Sequence, residues 1–406
     1  MVLTDEEKRM LAGEEGEAVS LSMGLLAKFG EVFGAERMVP VRSAHIACSY
    51  PEFISAVEVR ERFAQLGAKF RTMTTVNPVV NPDYFDRWKD LPEPEELKRN
   101  SVRQIKALEK MGVIPNWSCT PYFQGNLPRL GECVSWVESS AIIFANSVLG
   151  ARTNRTTLGI DLASAITGRA PQFGLLLEEN RAGNVLVQVK YKPRGLFDYH
   201  TTGYIIGKQC AGKVPVIEGL PPETTANELK VMGAAAAIRG GIALFHSVGI
   251  TPEARSKEEA LRGKKPEFEV RIEKSDVKLA IEELNTIKGG KIDAVLVGCP
   301  HPTVEEVREL ALLLEGKRVR EEVKFFLYAS GDVIHYACRM GYVQAIEAAG
   351  VRIFEGECIT SHQTAAWGWK NIATDSTKFA TTLPGDPTCF DVLYADTKKC
   401  VDLATL

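Results

Sequence analysis

The sequence predicts an α/β protein in which parallel or mixed sheets are flanked by helices and divided among more than one lobe. The chain has 406 residues, which is more than a single hydrophobic core usually serves. Apolar segments of strand length alternate with amphipathic helical segments, the pattern of parallel βαβ units. Hydrophobic residues make up 45% of the chain and charged residues 25%, as expected for a globular protein.

The N-terminal part of the chain supplies the first of these alternations. Thr4 and Glu7 are spaced as a capping box, so we expect a helix that begins at Thr4 and continues to residue 29. Apolar and amphipathic runs then alternate. In order, they predict a strand at 38–46, a helix at 54–66, a strand at 69–75, a helix at 95–111 and a strand at 113–117.

The remainder of the chain continues the same alternation. A strand at 185–191, an Ala-rich helix at 227–239 and a strand at 242–248 precede a charged, loop-like stretch at 252–265. The last part predicts strands at 292–297, 323–329 and 352–354, with helices at 303–314 and 333–340. We therefore divide the chain into residues 1–285, with one or more α/β lobes and a substrate-binding segment, and 286–406, a C-terminal α/β lobe.

Charge and hydropathy exclude several functional classes. The net charge is -3 and no block of basic residues occurs, so the electrostatic attraction that nucleic-acid binding requires has no source. No apolar run reaches the length of a membrane span. The N-terminal residues lack the basic and then apolar pattern of a signal peptide. We expect a cytoplasmic protein that binds neither membranes nor nucleic acid.

Three of the nine cysteines share one context. Cys119, Cys299 and Cys358 each follow a predicted strand, and the chain contains no Cys-x-x-Cys pair. Open α/β sheets bind ligands at the carboxyl ends of their strands, so these thiols could meet at one point. They would suit an iron–sulfur cluster with one iron left open to substrate, or a three-cysteine zinc site. Chance placement of three cysteines is the remaining interpretation.

The segment 136–155 combines an apolar, helix-compatible centre with polar ends. Glu138 is the preferred acid or base of this chain, and Arg152 and Arg155 have side chains that bind carboxylate or phosphate in a bidentate manner. The alternative is a helix capped by Gly150 and followed by solvated arginines. The other polar candidates in the segment are Ser139, Ser140, Asn146, Ser147 and Asn154, with Ser147 assigned to catalysis and the others to substrate binding.

Two candidates lie in the C-terminal lobe. His301 follows Cys299 and Pro300 at a predicted strand end, where a catalytic role and a capping role are equally open. Lys378 follows Cys358 in a polar run, and its ammonium group could hold an anion, although most lysines are simply solvated.

These residues fall in motifs that resemble the aconitase X family, in its large-subunit form. The run from Phe144 to Arg155 is the most specific of them, and Ser49 and Tyr50 also fit. The other matching motifs are 118–122, 136–140, 165–171, 179–181, 244–246, 249–254 and 297–301. The resemblance extends from the N-terminus to about residue 378. Near the site the chain departs from the family, with Gly356-Glu357-Cys358 where Asp-Thr-Cys or Asp-Ser-Cys is usual and Asp375 where Asn is usual.

The resemblance implies an aconitase-like, multi-lobed fold and an iron–sulfur cluster held by Cys119, Cys299 and Cys358. A 3Fe-4S or 4Fe-4S cluster is expected, with 2Fe-2S as the alternative. It also places Ser49 and Tyr50 among the substrate-binding residues. A separate small subunit, equivalent to the swivelling domain that some members carry in the same chain, would complete the site.

The implied activity is dehydration of a small hydroxy acid by a hydro-lyase. Mevalonate 5-phosphate is the favoured substrate, because a separate large subunit with the motif at 118–122 resembles the members that act on it. The alternative substrate is cis-3-hydroxy-L-proline. A non-catalytic iron–sulfur scaffold subunit is a third interpretation, from a different functional class.

Overall fold

The computed structural model describes residues 1–48, 54–83, 87–385 and 389–406, and the elements named below belong to those ranges. Three parallel sheets and one short antiparallel pair follow one another along the chain. None of the helices in these ranges is both long and apolar enough to cross a membrane. The α/β class and the flanked parallel sheets predicted from the sequence are confirmed.

The first parallel sheet lies in the N-terminal part of the chain. Its central strand β2 pairs with β3 on one side and β4 on the other, while β1 pairs antiparallel with β5. The strands are β1 (Met38–Pro40), β2 (Ser43–Ile46), β3 (Met73–Val76), β4 (Ser135–Trp136) and β5 (Arg169–Pro171). The helices are α1 (Asp5–Ala12), α2 (Glu17–Val32), α3 (Ile54–Gln65), α4 (Glu95–Met111), α5 (Ser139–Ser147) and α6 (Ile160–Thr167).

The second sheet has the strand order β8-β7-β6-β9, and all neighbours are parallel. Its strands are β6 (Val185–Val189), β7 (Pro215–Glu218), β8 (His246–Ser247) and β9 (Phe268–Ile272). Helices α7 (Gly195–Gln209) and α8 (Ala226–Gly240) pack together closely, because a Cβ on Gly203 would lie 2.1 Å from the Met232 carbonyl oxygen. The shorter helices are α9 (Lys257–Leu261) and α10 (Lys274–Leu284).

The third sheet has the order β12-β11-β10-β13-β14 and is also parallel throughout. Its strands are β10 (Ala294–Val297), β11 (Lys324–Ala329), β12 (Arg352–Glu355), β13 (Asn371–Thr374) and β14 (Asp391–Tyr394). The helices are α11 (Val304–Leu313), α12 (Gly331–Arg339), α13 (Tyr342–Ala348), α14 (Thr377–Thr382) and α15 (Thr397–Ala404). One hydrophobic core continues from the second sheet into this one, and it includes Val187, Ile217, Leu296 and Phe326.

Several predicted boundaries were wrong for identifiable reasons. The capping box of Thr4 and Glu7 is present, but Gly13 and Gly16 adopt positive φ angles and divide the predicted helix into α1 and α2. The predicted strand at 113–117 reduces to a single bridge between Ile114 and Thr75, because the backbone turns at Trp117.

Three other predicted elements also differ from the structure. The strand predicted at 38–46 is interrupted after Pro40, and the one predicted at 242–248 shortens to His246–Ser247. The stretch predicted as a loop at 252–265 contains helix α9.

Candidate active site

A cavity of about 620 Å³ lies where the carboxyl ends of strands from the first and third sheets meet. Cys119, Cys299 and Cys358 all line it, although each comes from a different segment of the chain. Among the other predicted site residues, Glu138, Ser139, Arg155, His301 and Lys378 also line it. The three thiols thus reach one cavity. Cys299 and Cys358 follow strands as predicted, whereas Cys119 follows an isolated bridge at Ile114 and not a strand.

Each cysteine is positioned by a backbone hydrogen bond or close contact at the end of a strand. The Ser118 N–H donates to the Val76 carbonyl at the end of β3, which directs Cys119 to that edge. Gly298 joins β10 to Cys299 with a φ of 95° and lies so close to Tyr328 that a Cβ would be 2.1 Å from its carbonyl oxygen. Gly356 donates to the Ala329 carbonyl in the turn between β12 and Cys358.

His301 connects the three cysteine segments. It lies two residues after Cys299, and its backbone N–H donates to Cys119 Sγ at 3.2 Å. Its ring Nε2 is 3.0 Å from the Glu357 carbonyl oxygen, next to Cys358. Burial lowers the pKa of His301 to about 4, so the neutral ring donates from Nε2. Its Nδ1 is buried and has no hydrogen-bond partner among the described residues.

Burial also changes the acidity of the thiols. It raises the pKa of Cys119 to about 12, with a further contribution from the Glu138 charge. It raises the pKa of Cys299 well above the ordinary value. Lys378 opposes the increase at both cysteines, while the charges of Cys358 and Cys119 add to it at Cys299. That mutual effect indicates three sulfurs near one another in a poorly solvated space.

Glu138 and Lys378 form an ion pair beside the thiols. Glu138 has a φ of 77° and caps α5, where its carboxylate accepts hydrogen bonds from the Ala141 N–H at 3.0 Å and from the Ser140 hydroxyl. Burial alone would raise the pKa of Glu138, but the Lys378 charge and these hydrogen bonds outweigh burial and lower it. Glu138 is therefore a carboxylate at neutral pH.

Lys378 stays charged because negative charges surround its ammonium group. Burial would lower its pKa, but Glu138, Cys299 and Cys119 raise it well above the ordinary value. The cavity thus contains one paired cation next to the cysteines. Arg155 lines the same cavity and is exposed, with no hydrogen-bond or ion-pair partner among the described residues.

The polar residues at the end of α5 lie outside the cavity. Asn146 donates to the Thr153 and Ala243 carbonyls, both at 2.9 Å, and Ser147 Oγ accepts from the Phe245 N–H at 2.8 Å. Their roles in substrate binding and catalysis gain no support from these positions. The sequence pattern that suggested them, polar residues within an apolar helix, reflects buried hydrogen bonds to the backbone.

Arg152 and Asn154 are also engaged elsewhere. Arg152 pairs with Glu178 and donates to the Leu176 carbonyl, and Asn154 bridges the Phe173 carbonyl and the Leu175 N–H. Ser140 touches the site only through Glu138. Ser49 and Tyr50 lie outside the described residues, so their predicted roles stay predictions.

Two residues in or near the site were missed at the level of sequence: Asn77 lines the cavity, and Lys230 lies behind His301. Asn77 directly follows β3 and lines the cavity, so the rule applied to the cysteines would have found it. Lys230, in the Ala-rich helix α8, is buried and pairs with Glu306 at 2.6 Å while donating to the His301 carbonyl at 3.3 Å. No signal in the sequence distinguishes Lys230 from a solvated lysine.

The donor set fits an iron–sulfur cluster better than a single ion. Within the described ranges, no three His, Cys, Asp or Glu side chains are arranged to chelate one metal ion. A cluster imposes a different requirement, since each cysteine binds a different iron atom. Three thiols line one cavity, and the nearby Lys378 favours the ionised forms of Cys119 and Cys299. This arrangement meets that requirement.

Comparison with known families gives a match along almost the whole chain. Residues 1–179 match the aconitase X first domain, 183–282 the second domain and 292–406 the third domain. The chain belongs to the aconitase X family. The resemblance stated from the sequence motifs is thereby confirmed.

Relatives with named activities are dehydratases. The phosphomevalonate dehydratase large subunit of Thermococcus kodakarensis is 38% identical over 382 residues, which is 94% of each chain. The corresponding large subunit of Methanocaldococcus jannaschii is 37% identical over 95% of each chain. The cis-3-hydroxy-L-proline dehydratase of Pseudomonas aeruginosa is 34% identical over 98% of this chain and 69% of that protein. This aconitase X protein is accordingly a dehydratase, and thus a hydro-lyase.

A solved structure shows the same fold. The crystal structure of Thermococcus kodakaraensis aconitase X in its holo-form superimposes with a TM-score of 0.89 at 36% identity, covering 100% of both chains. The aconitase X architecture therefore extends over the entire chain.

Proposed function

We propose that this chain is the large, catalytic subunit of an iron–sulfur-dependent dehydratase that removes water from a small hydroxy acid. The observation that carries the proposal is the cavity in which Cys119, Cys299 and Cys358 lie beside the Glu138–Lys378 pair. Mevalonate 5-phosphate is the favoured substrate. The alternative is cis-3-hydroxy-L-proline, and both compounds carry a carboxylate and a hydroxyl group.

The three cysteines would hold the cluster. Such a cluster supplies a Lewis-acidic iron that makes hydroxide a better leaving group. The remaining chemistry belongs to the protein side chains. Arg155, exposed to the cavity and without a partner among the described residues, binds an anionic group of the substrate.

Glu138 is the proposed proton acceptor. Its depressed pKa keeps the carboxylate ionised, and the cap of α5 fixes its position beside the thiols. Each carboxylate oxygen retains lone-pair capacity beyond its bonds to Lys378 and Ser140, so a proton from the substrate carbon can be accepted. Lys378 holds Glu138 in place and balances negative charge from the thiolates.

The names of the relatives support a separate partner. The relatives that are 38% and 37% identical to this chain are named as large subunits of phosphomevalonate dehydratase. The proposed partner is a small subunit of the swivel-domain type. We also propose that the complex acts in the cytoplasm.

The third interpretation, a non-catalytic iron–sulfur scaffold, is less favoured. A scaffold needs the cysteines but gains nothing from a buried carboxylate–ammonium pair next to them. Burying a charged pair costs desolvation free energy. That cost is expected at a catalytic site, where the charges act on the substrate, and not in a scaffold.

The test is an anaerobic preparation of the chain with its candidate small subunit. We expect iron and acid-labile sulfide in cluster stoichiometry, and conversion of mevalonate 5-phosphate to a product lighter by one water, measured by mass spectrometry. Conversion of cis-3-hydroxy-L-proline instead would select the alternative substrate. A loaded complex that dehydrates neither compound would favour the scaffold, and a preparation that takes up no iron would refute the cluster.

A further inference from the structure

Two of the three cavity cysteines have a hydrogen-bond partner at the sulfur atom itself. The His301 backbone N–H donates to Cys119 Sγ at 3.2 Å, and Thr360 Oγ1 lies 3.1 Å from Cys358 Sγ. The first partner belongs to the main chain. The second is a side-chain hydroxyl, so its effect on the sulfur depends on which residue occupies position 360.

The turn after β12 brings the Thr360 hydroxyl to Cys358. Cys358 directly precedes a short 3-10 helix, Ile359–Ser361, in which the Ser361 N–H donates to the Cys358 carbonyl at 2.9 Å. Thr360 is half-buried and lines the cavity. Within the described part of the chain, Thr360 Oγ1 has no hydrogen-bond partner other than the Cys358 sulfur. No other acceptor there competes for its proton.

The direction of this hydrogen bond depends on the state of Cys358. A thiol and a hydroxyl can each donate, so the bond could run either way while Cys358 keeps its proton. A cysteine that binds iron is a thiolate, which has no proton and can only accept. With the proposed cluster bound, the Thr360 hydroxyl would therefore be the donor and the Cys358 sulfur the acceptor.

A hydrogen bond to a cysteine sulfur changes the energy of the cluster that the sulfur binds. The donor draws negative charge away from the iron–sulfur unit. The reduced cluster carries one more negative charge than the oxidised cluster, so the donor stabilises the reduced form more. Hydrogen bonds to the sulfurs are accordingly one of the means by which a protein sets the reduction potential.

We propose that Thr360 is a positioning residue whose hydroxyl donates to the Cys358 sulfur and raises the reduction potential of the cluster. Dehydration transfers no electron, so the benefit is that the cluster gives up an electron less readily and resists oxidation. The inference rests on the cluster of the proposed function, and it does not depend on which substrate is dehydrated.

The first test compares Thr360→Val with Thr360→Ser in the two-subunit complex, loaded with its cluster under anaerobic conditions. Valine keeps the shape of threonine without the hydroxyl, whereas serine keeps the hydroxyl. Thr360→Val should change the equilibrium between oxidised and reduced cluster about tenfold, which lowers the midpoint potential by about 59 mV for a one-electron couple. Thr360→Ser should recover most of the wild-type value. A redox titration monitored by EPR is the measurement.

Thr382→Val is the matched control. Thr382 lines the same cavity, but its hydroxyl donates to the Lys378 carbonyl at 2.8 Å and not to a sulfur. Its removal should leave the midpoint potential unchanged. Iron and sulfide content, measured on each sample, establishes that the same cluster is compared throughout.

Equal midpoint potentials in the wild type and Thr360→Val would overturn the inference. An equal decrease in Thr360→Val and Thr382→Val would also overturn it, as would a potential in Thr360→Ser as low as in Thr360→Val. A wild-type complex that takes up no iron would contradict the proposed cluster and the inference together. A loaded wild type whose potential is unaffected by Thr360→Val would contradict the inference alone.

A second measurement keeps the inference testable if Thr360→Val folds poorly. Resonance Raman spectra of the loaded wild-type complex in H₂O and D₂O should show a shift of the iron–cysteine stretching bands, because an exchangeable proton lies against the sulfur. The His301 amide is common to all variants, so the difference between Thr360→Ser and Thr360→Ala isolates the hydroxyl. Wild-type bands that are identical in the two solvents, or equal shifts in Thr360→Ser and Thr360→Ala, would refute the hydrogen bond.

Discussion

At the scale of single residues, the role of a cysteine in this chain depends on where it lies and not on the residues beside it. Cys210 is fully buried in the hydrophobic core, whereas Cys299 is almost equally buried but lines the cavity. Cys210 is the matched control for any cysteine variant, because both thiols are removed from water and only one faces the proposed cluster.

We predict that Cys299→Ala loses the cluster and the activity together, while Cys210→Ala keeps both. A cluster ligand cannot be replaced by a methyl group, but a core cysteine behaves as a small hydrophobic residue. The measurement is iron and sulfide content together with turnover, for proteins prepared side by side. Full cluster content and full activity in Cys299→Ala would end its assignment as a ligand.

Site residues could be predicted from the sequence only where they stand in an unusual local sequence context. Strand-end cysteines and the unusual run around Glu138 gave such signals, and the structure places those residues on one cavity. Asn146 and Arg152 gave similar signals, but their polar groups bond within the fold. A polar residue in an apolar segment indicates that it has a partner, and the sequence does not say whether that partner is the substrate or the backbone.

At the scale of elements, the pairing of α7 and α8 depends on glycines that let the two backbones approach. A Cβ at Gly203 would overlap the Met232 carbonyl, and a backbone atom has no rotamer with which to move aside. Gly24 is the contrasting case. It lies within α2, and a Cβ there would make an ordinary contact of 3.7 Å with Leu11.

We therefore predict that Gly203→Ala lowers the free energy of unfolding by about 1–3 kcal/mol. Gly24→Ala should be neutral or stabilising by up to about 1 kcal/mol, because alanine favours a helix over glycine. Denaturant titration of both variants measures the difference. Equal stability of the two would show that α7 and α8 can move apart without cost.

A second element-scale contact joins the stretch before α4 to the turn that carries Cys358. His362 lies between two carboxylates, with Nδ1 at 3.1 Å from Glu93 and Nε2 at 2.9 Å from Glu357. Burial alone would lower the pKa of His362, but these two carboxylates raise it to about 9. The charged imidazole therefore contributes to stability as long as it stays protonated in the folded chain.

The raised pKa of His362 determines how its contribution to stability changes with pH. The contribution of His362 is complete below the unfolded pKa of about 6.5 and is lost as the pH rises through about 9. We predict that His362→Gln destabilises the protein by about 3 kcal/mol at pH 6, and by less at pH 9.5. His335→Gln, at an exposed position, is the control and should have little effect. A loss that does not depend on pH would contradict a charged His362.

Element boundaries were harder to predict than element types. The alternation of strands and helices is confirmed because periodicity reports which faces are buried. The predicted elements are interrupted at Gly13 and Trp117 because both residues have positive φ angles. At Trp117 neither the composition nor the periodicity of the sequence indicates a positive φ angle. The pairing of three separate sheets, which places the cavity, is decided by long-range packing.

At the scale of the whole molecule, the proposed cluster connects distant parts of the chain. Cys119 lies next to the end of β3 in the first sheet, where the Ser118 N–H bonds to Val76, whereas Cys299 and Cys358 follow strands of the third. The division of the chain at residue 285 stays a prediction, and in that division the cluster would bridge both parts. A ligand that binds only the folded state stabilises it.

We predict that the loaded protein unfolds at a higher temperature than the protein stripped of iron by a chelator under anaerobic conditions. The increase should disappear in Cys119→Ala, since the bridge to the first sheet is then lost. Calorimetry of loaded and stripped samples is the measurement. Identical melting curves for the loaded and stripped wild-type protein would show that the cysteines do not join the two parts through a metal centre.

The separation of the cysteines along the chain also affects biosynthesis. More than two hundred residues lie between Cys119 and Cys358, so the ribosome synthesises the three proposed ligands far apart in time. No short nascent peptide contains a complete binding set. We therefore expect the proposed cluster to be inserted only after folding has brought the three cysteine segments together.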